Sequence, residues 1–90
     1  MKKCLKISAN CKNAEKAKRE FIQKIAQEAG IEGIVQHEEN KIVIYVCGLL
    51  DRVDDFVDLL YVGSKAYMFL DIEIESCENR DYRGVFRVVE

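Results

Sequence analysis

No C-x-x-C pair and no histidine at ligand spacing from a cysteine occur in this chain of 90 residues, and no continuous apolar segment follows its basic start. The first two absences argue against a zinc site and against thioredoxin-type redox chemistry. The third argues against a signal peptide and a membrane span, even though the opening Met1-Lys2-Lys3-Cys4-Leu5-Lys6 is basic. Repeats, linkers and low-complexity segments are also missing. Four cysteines are present, Cys4, Cys11, Cys47 and Cys77. Cys4 and Cys47 lie in strand-like runs, where thiols pack as small hydrophobes. The expectation is four reduced thiols in a cytoplasmic protein that holds no metal and needs no cofactor.

The length fits one domain, residues 1–90, with a stability of roughly 5–10 kcal/mol. An apolar share of 49% and a charged share of 33% are ordinary for a globular protein and exclude disorder as the default. The net charge of −2 gives no general reason to expect nucleic acid or a membrane as partner. Charge is unevenly spread, however. Residues 1–20 hold Lys2, Lys3, Lys6, Lys12, Lys16, Lys18 and Arg19 against Glu15 and Glu20, whereas Asp51, Asp54, Asp55 and Asp58 cluster further on. Two solvated helix faces would explain this, and so would a local site for an anion.

Cys4 to Ser8 alternates apolar and polar residues and predicts a first strand. Asn13 is placed to cap a helix with its side-chain oxygen, and Ala14, Ala17, Phe21, Ile25 and Ala29 form the buried stripe, widened by Ile22 and Ala26. Gly30 can end that helix in the left-handed conformation. Gly33–Glu38 and Lys41–Cys47 predict two strands around a tight turn at Glu39-Asn40, with Asn40 able to take positive φ. The second of these is apolar on both faces and belongs at the centre of the sheet. A helix over Asp51–Val62 buries Val53, Phe56, Val57 and Leu60. Ala66 to Glu75 alternates as a long strand with Met68, Leu70, Ile72 and Ile74 turned beneath the helices, and Val85–Val89 makes a short edge strand. The predicted core is Leu5, Ile7, Phe21, Ile25, Ile44, Phe56, Leu60, Leu70 and Ile72. The order gives an α+β fold, a ferredoxin-like split β-α-β sandwich with an antiparallel sheet and two helices on one face.

Gly30-Ile31-Glu32-Gly33-Ile34-Val35-Gln36-His37 resembles the G-L-x-G-W-V-x-N of the acylphosphatase family, and Gly48-Leu49-Leu50-Asp51-Arg52-Val53-Asp54-Asp55-Phe56 resembles its G-x-x-x-x-V-x-x-F. The likeness spans the whole chain. It implies hydrolysis of the carboxyl-phosphate bond of acyl phosphates. Counting back from Gly30, Cys11 to Arg19 falls on the family's phosphate loop, G-R-V-Q-G-V-x-F-R, so Arg19 matches the phosphate-binding Arg. Cys11 and Glu15 stand where that loop has glycine, and His37 stands where strand two has a water-orienting Asn.

Hydrolysis of an acyl phosphate needs inward-pointing backbone N–H groups and a guanidinium around the phosphoryl oxygens, and a side chain that aims a water. By resemblance Arg19 and His37 are the catalytic candidates, and Lys12, Asn13, Lys16, Lys18 and Arg19 the phosphate-binding ones. Ala14-Glu15-Lys16-Ala17-Lys18 are helix formers, which predicts a helix rather than a cradle over these residues. Glu15 would also set a carboxylate against the phosphate. On such a helix, at roughly 100° per residue, Arg19 lies about 200° from Ala17 and Phe21 and is solvated. Two functions therefore stay open: an acyl-phosphate hydrolase, or a catalytically inactive module on the same scaffold that binds an anion (acyl phosphate, phosphate or sulfate) or a protein. RNA recognition would require aromatic residues in the two central strands together with a Lys/Arg-Gly-Phe/Tyr pattern, which Cys4-Leu5-Lys6-Ile7 and Lys41-Ile42-Val43-Ile44-Tyr45 do not supply.

Overall fold

The computed structural model describes residues 1–89. Strand β1 (Lys2–Asn10) leads through a short loop into helix α1, whose consecutive segments are α-helical Ala14–Lys16, π-helical Ala17–Ile22 and α-helical Gln23–Ala29. Gly30 ends it in the left-handed conformation, as its lack of a Cβ allows. Strands β2 (Glu32–Glu38) and β3 (Lys41–Leu49) form a hairpin, helix α2 (Leu50–Ser64) follows at once, and strands β4 (Leu70–Ser76) and β5 (Phe86–Val88) come last.

The sheet order is β4-β1-β3-β2-β5, with β3 in the centre. Strand β1 pairs antiparallel with β3 and β4, and β2 antiparallel with β3, but β5 runs parallel to β2. The sheet is therefore mixed, not antiparallel throughout. Topology explains this: β4 finishes at the end of the sheet where β2 begins, and residues 77–85 cross along that end to the far edge. The chain can then only run alongside β2 in the same direction.

Period-two alternation sends Leu5, Ile7 and Ala9 of β1, Val35 of β2, and Ile42, Ile44 and Val46 of β3 into one core with α1 and α2. Helix α2 contributes Val53, Phe56 and Leu60, all without solvent exposure, and carries Asp51 in its first turn, where the helix dipole favours an acid. The hairpin turn differs from expectation in one respect: Glu39, not Asn40, takes positive φ, at 56°.

The segment after α2 departs further. Instead of extending from Ala66, the chain continues in turns through residue 68, with the Phe69 N–H donating to the Ser64 carbonyl, and Met68 and Asp71 adopt positive φ. Phe69 is the residue this geometry buries, edge-on to Phe21 with centroids 5.9 Å apart. Met68 and Leu70, expected inside, are 64% and 63% exposed, and Ile74 is also exposed. Of the four, only Ile72 packs against the core.

Phe21 also stacks on Tyr67 at 4.9 Å, and the Phe21 ring fills the space over Gly63. A Cβ at position 63 would run into the Phe21 ring. Gly63→Ala should therefore destabilise by about 1–3 kcal/mol, although Ala favours a helix by nearly 1 kcal/mol over Gly. A stabilised variant in thermal or urea unfolding would contradict the packing of Phe21 against α2.

The opposite sheet face holds the main correction to the cysteine expectation. Cys4 and Cys47 face each other across β1 and β3, and are joined in a disulfide with their Cα atoms 4.2 Å apart. Register explains the pairing, because directly opposed residues of antiparallel strands come this close without any backbone shift. Cys11 and Cys77 are free thiols, and burial pushes both up from the ordinary thiol pKa. The crossing segment closes over this region, its Cys77 N–H donating to the Cys4 carbonyl.

Glu32 anchors the same segment, accepting from the Gly84 N–H at 2.7 Å and pairing with Lys2 at 3.2 Å. The Gly84 N–H, and less strongly Lys2, hold its carboxyl below the ordinary value of 4.5. A depressed folded pKa contributes stability that is complete above the unfolded value and is lost as pH falls through the folded one. Tm should fall as the medium is acidified below 4.5. Glu32→Gln should lower Tm at neutral pH and flatten part of that fall. Superimposable pH profiles for the two proteins would contradict this anchoring role.

Candidate functional site

The loop between β1 and α1 is pinned by the Cys11 N–H, which donates to the Asn40 carbonyl in the hairpin turn. Helical hydrogen bonding starts directly afterwards, the Ala17 N–H donating to the Asn13 carbonyl at 3.0 Å. Asn13 occupies the cap position as expected, but its side chain makes no capping hydrogen bond.

Glu15 lies at the centre of the cluster this helix builds. Its Oε1 accepts from Arg19 Nε at 2.9 Å, and its Oε2 lies 3.3 Å from Lys18 Nζ and 3.7 Å from His37 Nδ1. The hydrogen bonds from Arg19 and then Lys18 hold the Glu15 carboxyl below its ordinary pKa. Helix spacing supplies the first two contacts, since residues three and four positions on share a face with Glu15. The third comes from β2, where the alternation that buries Gly33 and Val35 also turns His37 toward α1. His37 Nδ1 is buried and has no hydrogen-bond partner among the described residues.

Of the residues expected from sequence, Lys18, Arg19 and His37 are thus brought together. Lys12, Asn13 and Lys16 stay on the exposed surface. Arg19 is half-exposed at 51%, in keeping with its expected solvation, and is engaged by Glu15. Lys18, expected among the phosphate-binding residues, is 0% exposed. Its Nζ donates to the Val89 carbonyl at 2.7 Å, tying the end of the chain to α1. The signal was in the sequence: Ala14, Lys18, Ile22 and Ala26 form one row at i+4 spacing, and the lysine sits inside it.

Lys2, Lys3 and Lys6 do not join this cluster. They pair with Glu32, Asp54 and Glu75, so the basic excess of the first twenty residues is divided between sites along β1. A cavity of about 500 Å³ on the opposite sheet face, bordered by Ile34, Tyr45, Arg80 and Tyr82, shares no residue with it either. Among the described residues, no group of three or more His, Cys, Asp or Glu is placed to hold a metal ion. Among the described residues, no helix is long and apolar enough to cross a membrane.

Comparison with solved structures finds the same fold in acylphosphatases. The Bacillus subtilis acylphosphatase superposes with a TM-score of 0.83 at 20% identity, covering 100% of both chains. The Coxiella burnetii acylphosphatase gives 0.83 at 22% identity, over 98% of this chain and 93% of that one. Full-length HypF in its phosphate- and nucleotide-bound form gives 0.84 at 19% identity, where this chain spans 12% of the larger protein. No curated protein sequence matches the chain. A family model, described as Acylphosphatase, matches residues 19–88, from Arg19 through the last strand. With most of the chain inside that match and the fold shared end to end, this chain belongs to the acylphosphatase family.

Proposed function

We propose that the chain is an anion-binding module on the acylphosphatase scaffold, with very weak or no turnover of acyl phosphates. Its ligand in this reading is a small oxyanion such as an acyl phosphate, phosphate or sulfate. The observation that carries the reading is the helical backbone of residues 14–22, which fills the stretch where the resemblance puts a phosphate loop. Successive N–H groups of a helix point along its axis to carbonyls of earlier residues, as Ala17 does to Asn13 and Gln23 to Lys18. N–H groups paired in this way, from Ala17 onward, cannot converge on the oxygens of one phosphoryl group.

Phosphoryl transfer depends on positioning and charge stabilisation, and each missing oxyanion donor lowers a rate by about 10²–10³. The guanidinium that remains, that of Arg19, is engaged by Glu15. His37, at the position of the water-orienting Asn, has Nδ1 beside the same carboxylate. Benzoyl phosphate turnover by the purified protein tests the reading against Arg19→Ala. The two rates should agree within about tenfold, because the effect of one donor is lost where the cradle is absent. A substantially faster unmodified protein would identify the chain as an acyl-phosphate hydrolase instead.

A further inference from the structure

Among the described residues, Lys18 is the one charged side chain that is buried, with 0% exposure. Its Nζ has two polar neighbours there, the Val89 carbonyl at 2.7 Å and Glu15 Oε2 at 3.3 Å. A carbonyl is neutral, so Glu15 supplies the counter-charge. A buried cation that loses its only anion is strongly unfavourable, and its site will accept another anion in exchange.

The two partners are unequal in mobility. The stem of Lys18 is locked in the row of Ala14, Ile22 and Ala26, all of them in the core cluster. Glu15 is half-exposed, with a side chain able to swing into solvent and uncover the cation. Its two oxygens together touch three nitrogen-bearing side chains on two elements: Arg19 at one oxygen, Lys18 and His37 at the other. The buried Nδ1 of His37 lies 3.7 Å from the second of these oxygens and has no hydrogen bond among the described residues.

We propose that Lys18, Arg19 and His37 form an oxyanion-binding site whose resident ligand is the Glu15 carboxylate, and that an external carboxylate or phosphate group enters by displacing it. The inference deepens the reading of the chain as an anion-binding module and rests on it for the nature of the ligand. The burial of Lys18 and its counter-charge from Glu15 are its new elements. Lys18 makes the site doubly cationic, and Glu15 makes it closed at rest. A ligand needs two oxygens of one charged group to replace both of Glu15's; a hydroxyl or an amide would leave Lys18 without a counter-charge.

Tethering sets the strength of the competition. A carboxylate attached beside its own site acts at an effective concentration on the order of millimolar or above, so weaker external anions are excluded until they exceed it. Removing the tethered group should therefore tighten external binding.

Inorganic phosphate, and separately acetate, would be titrated at constant ionic strength into the unmodified protein and Glu15→Ala, following backbone amide resonances of residues 15–19 and 37. We expect saturable shifts in Glu15→Ala with a midpoint at least about tenfold lower than in the unmodified protein. The double variant Glu15→Ala/Lys18→Met, which keeps the apolar stem and removes the charge, should lose that binding. Equal midpoints for the first two proteins, or retained binding in the double variant, would overturn the proposal. If the double variant fails to fold, the ε-methylene resonances of Lys18 in Glu15→Ala decide: they should move with phosphate, and resonances that stay fixed overturn it. The turnover assay is a separate readout. Hydrolysis by the unmodified protein bears on the proposed function alone, whereas the effect of Glu15→Ala on phosphate affinity bears on this site.

Discussion

Phe56→Ala should cost about 3–5 kcal/mol, a large part of the roughly 5–10 kcal/mol expected for a domain of this size. Phe56 has no solvent exposure and sits midway along the buried row of α2, between Val53 and Leu60, with its ring 6.5 Å from that of Phe86. Truncation removes the apolar area and leaves a cavity lined by residues of α2 and the sheet that cannot all collapse into it. Urea unfolding reads the loss as a shifted midpoint at unchanged slope. Leu70→Ala provides the contrast. Leu70 belongs to the core by sequence alternation but is exposed in the structure, so its truncation should stay within about 0.5 kcal/mol. A small loss at Phe56 would refute the placement of α2. A large one at Leu70 would restore the longer strand expected from alternation.

That contrast shows where the sequence was legible. Helix α2 was readable because Val53, Phe56 and Leu60 repeat at the helical period over several turns, and nothing tertiary opposes them. Strand β3 was readable as central because both of its faces are apolar. Residues 66–75 alternate just as regularly, yet the chain turns tightly through residue 68 and buries Phe69, of the other parity, against Phe21. A period of two reports which residues share a face only if the backbone is extended, and the sequence alone did not reveal the two positive φ values that break it. The direction of β5 depended in turn on which end of the sheet residues 77–85 cross, a long-range fact with no local signal.

At the site, the part set by helix spacing was legible and the part set by packing was not. Helix formers in place of the loop glycines predicted helix over residues 14–18, and helix spacing then brings Glu15 to Arg19 and Lys18. The burial of Lys18 was missed because a charged residue is assigned to the surface by default, even inside a row of Ala14, Ile22 and Ala26. A core accepts a lysine when a carboxylate and a carbonyl meet its Nζ, and the carbonyl is that of Val89, 71 residues away. Proximity of that kind depends on the finished fold. The disulfide was missed for a similar reason: Cys4 and Cys47 are adjacent only through the β1–β3 register.

Reducing the Cys4–Cys47 bond should be the second large effect, with an expected loss in the range of about 2–4 kcal/mol. The two residues are 43 apart in sequence and enclose α1, β2 and most of β1 and β3. For a loop of that length the chain-entropy estimate is about 4 kcal/mol, acting mainly on the unfolded chain, which loses its most expanded conformations when cross-linked. The native contribution is small because strand pairing already places these residues opposite each other, and they remain so when reduced. Urea unfolding with and without dithiothreitol should show a lower midpoint and a steeper slope for the reduced protein, whose unfolded state exposes more surface. Cys4→Ala/Cys47→Ala should match the reduced protein approximately and be insensitive to the reductant. Alkylation after unfolding without reductant should label Cys11 and Cys77 alone. Labelling of all four would return the protein to the free-thiol state that its cysteine spacing implied, and the predicted dependence on reductant would vanish with it.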